Sequence, residues 1–121
     1  MLIQLLLVLD KDDAYQCLDW FAIATEYKNG GLLTESLQEL NKIKVLFEEK
    51  LNKNDKLLGY LYNEIAIILA KQHNLDEAIK FYKKAILIIS ENDGIDCHSS
   101  TIIYNNIAKL YSGSEDRGNR S

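Results

Sequence analysis

The 121-residue sequence predicts an all-α protein, in which antiparallel helix-turn-helix units stack as a right-handed superhelix. Two observations carry that expectation. The chain has no proline, and its apolar residues recur at steps of three and four rather than in alternation. Such spacing lines one face of a helix. The second observation is that the sequence repeats itself. "DWFAIATEYKNGGLLTESLQEL" (Asp19 to Leu40) lies over "LYNEIAIILAKQHNLDEAIKFY" (Leu61 to Tyr82), each pair 42 positions apart. Trp20 falls on Tyr62, Ile23 on Ile65, Ala24 on Ala66, Leu33 on Leu75, Glu35 on Glu77 and Leu37 on Ile79. In "IYNNIAKLY" a third copy follows, with Tyr104, Ile107, Ala108 and Tyr111 in the places of Tyr62, Ile65, Ala66 and Leu69. A fixed period of this length marks a stacked array.

About five helices are expected. The apolar start "MLIQLLLVL" sits where the end of an earlier second helix would fall. A first helix covers about residues 14 to 28, with Asp13 as its N-cap and Asn29-Gly30-Gly31 ending it. The second, about 35 to 51, is capped by Thr34 and buries Leu33, Leu37, Leu40, Ile43, Phe47 and Leu51. A third runs from the Asp55 cap to about Gln72, where Asn74 takes the left-handed closing turn. The fourth covers about 76 to 90, with Ala78, Ile79, Tyr82, Ala85, Ile86 and Ile89 on its buried stripe. Asp96 caps a fifth, ending near Ser112. Residues 1–112 therefore read as a single helical repeat domain of about two and a half repeats, and "GSEDRGNRS" (113–121) as a disordered tail.

Small residues mark where helix axes approach. Ala66 on one helix and Ala78 and Ala85 on the next supply close contacts, with Tyr62 and Tyr82 filling the gaps between them. Ala24, Ala66 and Ala108 are expected at equivalent buried positions. The series Tyr62, Ile65-Ala66, Leu69, Ala78, Tyr82, Ala85 resembles the tetratricopeptide-repeat (TPR) signature: an aromatic, Leu-Gly, Tyr, then Ala, an aromatic and Ala. This sequence departs from it with Ala for Gly and with Ser90 where a proline often ends the unit. Its first copy has Ser36, Leu40 and Ile43 in the second-helix places. The resemblance covers about Asp13 to Tyr111. The usual unit is about 34 residues, so a 42-residue period adds roughly two helical turns. Repeats lengthened in this way are similar to those of kinesin light chains and of the cytoplasmic peptide-pheromone receptors of Gram-positive bacteria. In those receptors the repeats form the C-terminal ligand-sensing domain, behind an N-terminal output domain of which this sequence shows no sign. It starts at the tail of one repeat and stops after the first helix of another.

Composition narrows the function. Net charge is -4 and no Lys/Arg block appears, so the chain lacks the basic face on which phosphate binding depends. No direct nucleic-acid binding is expected. The apolar start is too short to span a bilayer and lacks both the basic n-region and the small-residue cleavage site of a signal peptide. No membrane association is expected. Cys17 and Cys97 form no CxxC motif and read as thiols in a reducing, cytoplasmic compartment.

No chemistry emerges from the motifs. "DKDDAYQ" fails as a calcium loop, because counting from Asp10 puts Tyr15 and Phe21 where Gly and Glu are needed. His73 and His98 are 25 positions apart in the sequence without a paired Cys or carboxylate motif, and Cys97 and His98 point about 100° apart on a helix. "NGG" lacks the strand and lysine of a phosphate loop. The expectation is a non-enzymatic chain with no catalytic residue, no metal site and no cofactor.

What remains is the concave surface formed by the first helices. Its candidate residues are Phe21, Tyr60, Asn63, Ile67, Lys71, Asn105 and Lys109. Asn63 and Asn105 are 42 apart, and a side-chain amide both donates and accepts, as pairing with an extended peptide backbone requires. The resemblance implies this role for asparagines on the inner helices of the pheromone receptors. Ile103, Ile107, Leu110 and Tyr111 on the last helix have no following helix to cover them, and a homodimer is expected to do so. The function expected is a peptide- or protein-binding module, the sensing or dimerisation part of a bacterial transcriptional regulator in quorum sensing. The alternative is a structural adaptor without a peptide groove.

Overall fold

The computed structural model describes the backbone of residues 2–120 and the side chains up to Ser112. It is a stack of antiparallel helices: α1 (Leu2–Val8), α2 (Lys11–Asn29), α3 (Leu33–Lys50), α4 (Lys56–Lys71), α5 (Leu75–Asp93) and α6 (His98–Arg120). The short α1 adds one helix to the five expected. The expected tail, 113–121, falls on residues whose side chains lie outside the described ones. Each helix packs against its chain neighbours, most extensively α4 against α5 and α2 against α3. A core of aliphatic residues runs the length of the stack, from Leu5 on α1 to Ile103 on α6.

Several helix ends differ from expectation, each for a local reason. Asp10, not Asp13, caps α2: its Oδ1 accepts from Asp13 N–H at 2.8 Å. Thr34 is not the cap of α3. The chain enters α3 directly from the α2 turn, with Leu32 at the N-cap and no side-chain bond there. In that turn Leu32 N–H donates to Tyr27 O and Gly31 N–H to Lys28 O, a Schellman pair that places Gly31 at φ 80. The α4–α5 turn has the same form, with Asn74 N–H donating to Leu69 O and His73 N–H to Ala70 O. The left-handed residue there is therefore His73, at φ 64, and Asn74 is the N-cap of α5 at φ -88. At the start of α6 the capping acceptor is Cys97, not Asp96: its Sγ accepts from Ser100 N–H at 3.4 Å. Asp55 caps α4 as expected, accepting from Leu57 N–H at 2.9 Å.

The close contacts are met at two of the three alanines. Ala24 and Ala66 are buried, whereas Ala108 is exposed. The helix α4 lies between α3 and α5, whereas α6 packs mainly on α5, and among the described residues Ala108 is left open to solvent. Ile23 is likewise 39% exposed although its counterpart Ile65 is buried. The seven-residue α1 packs on α2 but is much shorter than that nineteen-residue helix. Ile79 on the predicted α5 stripe is partly buried, and Ile88 joins the stripe instead. Ser36 stands where α5 has Ala78, and its buried hydroxyl is satisfied by donating to Ala24 O at 2.7 Å across the helix pair.

Three buried acids respond to this packing, and at Tyr82 burial, then the charge of Glu64, raises the phenol. Burial, then the charge of Asp13, pushes the Cys17 thiol from 9.0 up to about 11. Burial, then Glu48, whose Oε2 accepts from the Tyr62 hydroxyl at 3.1 Å, pushes that phenol from 10.0 up to about 12. Each group is neutral when protonated, and the folded chain keeps the proton to higher pH than the unfolded chain does. Between about pH 9 and 12 the folded state thus binds more protons, and stability falls as pH rises. The apparent melting temperature should drop across that window, and Cys17→Ala with Tyr62→Phe should flatten the drop. An alkaline slope unchanged in the double variant would contradict this assignment.

Candidate functional site

A groove of about 460 Å³ opens between the inner faces of α2 and α4. From α2 come Phe21, Thr25 and Lys28, spaced by four and three, so they share one helix face. From α4 come Leu57, Tyr60, Asn63 and Glu64, in the same helical register. Phe47 of α3, buried to 1% exposure, reaches through from behind to form the floor. Half of the lining residues are thus aromatic or aliphatic and half polar or charged.

Those polar groups differ in what they have left to offer. The Thr25 hydroxyl donates to Phe21 O at 2.9 Å, a bond within its own helix. Lys28 and Glu64 face each other across the groove, Nζ to Oε2 3.9 Å, both partly exposed, a pair of small energetic weight. Asn63 differs from both. Its Oδ1 is buried and has no hydrogen-bond partner among the described residues. A buried acceptor without a donor costs about 1–3 kcal/mol, and most such groups in folded proteins are satisfied.

Next to this groove, toward α1, lies a second hollow of about 460 Å³. Leu57 and Tyr60 line both, and Gln4, Leu7 and Val8 of α1 with Asp55 and Lys56 complete the second. Lys56 pairs with Asp93 at 3.1 Å and lies 5.9 Å from the centre of the Tyr60 ring. The hydrogen bond that Lys56 donates to Asp93, followed by the Tyr60 field, raises the Lys56 pKa.

Of the seven concave-face residues expected from sequence, the groove brings together Phe21, Tyr60 and Asn63. Ile67 is partly buried against the core. Lys71, Asn105 and Lys109 are exposed and line neither hollow. On α6, Ile103 is already buried within its own chain at 1% exposure, Ile107 and Leu110 are partly buried, and Tyr111 is 47% exposed. Leu57 and Glu64 were legible in principle, standing three before and four after Tyr60 on the same face. Phe47 and the α1 residues carry no local signal, since only stacking brings them to the groove. Among the described residues no cluster of His, Cys, Asp or Glu suits a metal ion, and no helix is long and apolar enough to cross a membrane.

The family model for the tetratricopeptide repeat matches residues 57–117, just over half of the chain. The chain is a tetratricopeptide-repeat protein. Its TPR match runs from α4 through α5 into α6 and includes the most extensively packed pair, α4 and α5. TPR domains serve in general as protein–protein interaction modules and scaffolds, and this chain is one of them. It has no match among the curated proteins.

Proposed function

We propose that this TPR domain is a non-enzymatic module of about two and a half repeats that binds a peptide or protein segment in the groove between α2 and α4. The observation that carries this reading is the Asn63 carbonyl, buried without a donor among the described residues, in a residue that lines a partly apolar groove. Apolar surface beside placed polar groups is usual in a binding cleft. A peptide backbone offers the missing N–H. The 42-residue period is supported by the helix bounds: α3 and α5 begin at Leu33 and Leu75, and α2 and α4 end at Asn29 and Lys71. On that long repeat rests the more specific proposal, the sensing part of a bacterial transcriptional regulator. A helix-turn-helix reading frame joined upstream of Met1, or a gene for a small secreted peptide beside it, would favour it.

Calorimetry with a peptide library tests the groove. Peptides that bind the wild type should lose about 1–3 kcal/mol on Asn63→Ala, because a buried peptide group loses its partner. Peptides that bind Asn63→Ala with unchanged affinity would remove this site.

Self-association is the second part of the proposal. Ile102, Tyr104 and Tyr111 leave 42%, 45% and 47% of their surfaces exposed along α6, and a symmetric homodimer would cover them. Sedimentation should show a dimer at micromolar concentration, and Tyr104→Glu should shift it to monomer. A monomeric wild type at high micromolar concentration would remove the dimer.

The adaptor reading has its own support. Ile3, Val45 and Leu87 stand 42 positions apart on α1, α3 and α5, and are 74%, 64% and 60% exposed. They form a row of aliphatic side chains at equivalent places on the second helices, suited to a flat partner surface.

A further inference from the structure

We propose that the groove continues past Tyr60 onto α1, forming one two-part cleft for an uncharged, extended peptide segment that carries apolar side chains on both sides of a free backbone N–H. The inference rests on the peptide-binding reading above and adds to it the direction of the ligand and its chemistry.

Direction comes first. The two hollows share Leu57 and Tyr60, so Tyr60 divides a continuous surface rather than closing either part. Beyond it, Leu7 is 79% exposed and Val8 39% exposed, on a helix too short to cover the neighbouring face of α4. The ligand therefore runs from Lys28 and Glu64 toward α1. It runs away from Asn105 and Lys109, which line neither hollow.

Charge comes next. The charged residues on the two walls are Lys28, Glu64, Asp55 and Lys56, two of each sign. Every one already has a partner. Lys28 faces Glu64 at 3.9 Å and Lys56 faces Asp93 at 3.1 Å, while Asp55 accepts from Leu57 N–H. The two signs cancel along the walls, so the cleft offers no net charge to a charged ligand side chain, and a neutral ligand fits best.

The backbone shape follows from Asn63. Its Oδ1 is held by no hydrogen bond, so turning the amide toward the groove breaks none, and the torsion concerned is a soft one. The partner must then supply an unspent N–H. A helix has used its own along most of its length, whereas an extended segment has not. Alternate side chains of that segment point the same way, which suits two hollows separated by one ring.

The test uses three capped hexapeptides titrated into the full chain by fluorescence anisotropy. One alternates leucine and serine, the second is its backbone N-methylated copy, and the third carries aspartate in place of serine. The neutral peptide should bind with little change between low and high salt. Leu7→Asp should weaken it about tenfold or more, with Val8→Ser as a second variant should the first lower the melting temperature. N-methylation should weaken binding to the wild type, and Asn63→Ala should add nothing further to that loss. Neutral-peptide binding untouched by Leu7→Asp and Val8→Ser would overturn the extension onto α1 while leaving the α2–α4 groove in place. Binding of the aspartate peptide alone, lost at high salt, would overturn the neutral chemistry. Failure of all three peptides on the wild type would overturn this inference and the groove together.

Discussion

Phe47→Ala is expected to cost about 3–5 kcal/mol of stability, the usual range for emptying a buried aromatic site. Phe47 is 1% exposed, on the buried face of α3, within the shared core. The ring fills a space shared by α2, α3 and α4, and helices held by their neighbours cannot collapse freely to refill it. Against a domain stability of about 5–15 kcal/mol, that loss is large. The denaturation midpoint should fall steeply with an unchanged slope. Because Phe47 is also the floor of the groove, the variant should lose peptide binding even below its unfolding transition. A loss under about 1 kcal/mol would mean that the ring is not the structural support described here.

Gly59→Leu is expected to act in the opposite sense, by overfilling. A Cβ at Gly59 would sit 3.0 Å from Ile89 Cγ1 and 3.1 and 3.2 Å from Ile88 Cγ2 and Cβ. Those atoms lie at or near the α5 backbone, so they yield only if the helices part. Replacing glycine within a helix gains about 1 kcal/mol of propensity, while overpacking costs about 1–3 kcal/mol and occasionally more. For alanine the two terms nearly offset. Leucine adds three more carbons in the same crowded space, and the net should be a loss of about 2 kcal/mol or more. Separating α4 from α5 would also shift Tyr60 and Asn63, so the shape of the groove should change as stability falls. A leucine variant as stable as the wild type would show that α4 and α5 do not approach as closely as described.

These two positions also divide what could be read in advance from what could not. The all-helical class, the existence of α2 to α6 and their order follow from apolar periodicity and the 42-residue self-similarity. Both are local or pairwise features of the chain. The turn at Gly30-Gly31 was legible because glycine tolerates a positive φ. Its counterpart at His73 was not, because asparagine next door is the more usual left-handed residue and only the Schellman hydrogen bonds select between them. In the candidate site, Phe21, Tyr60 and Asn63, expected on the inner helix faces from register alone, do line one groove.

Exposure at the ends of the stack could not be traced in that way. Ala66 and Ala108 occupy the same place in the repeat, yet one is buried and the other open, because burial depends on whether a neighbouring helix arrives. The same holds for Asn63 and Asn105, which sequence treats as equivalent and the stack does not. A repeat specifies which residues face a neighbour; it does not specify that the neighbour is there. Phe47 reaching the groove from α3, Gly59 sealing α4 onto α5, and α1 extending the cleft past Tyr60 are all products of helix-on-helix stacking. Each depends on distances between segments far apart in the chain, and no periodicity within a segment encodes them.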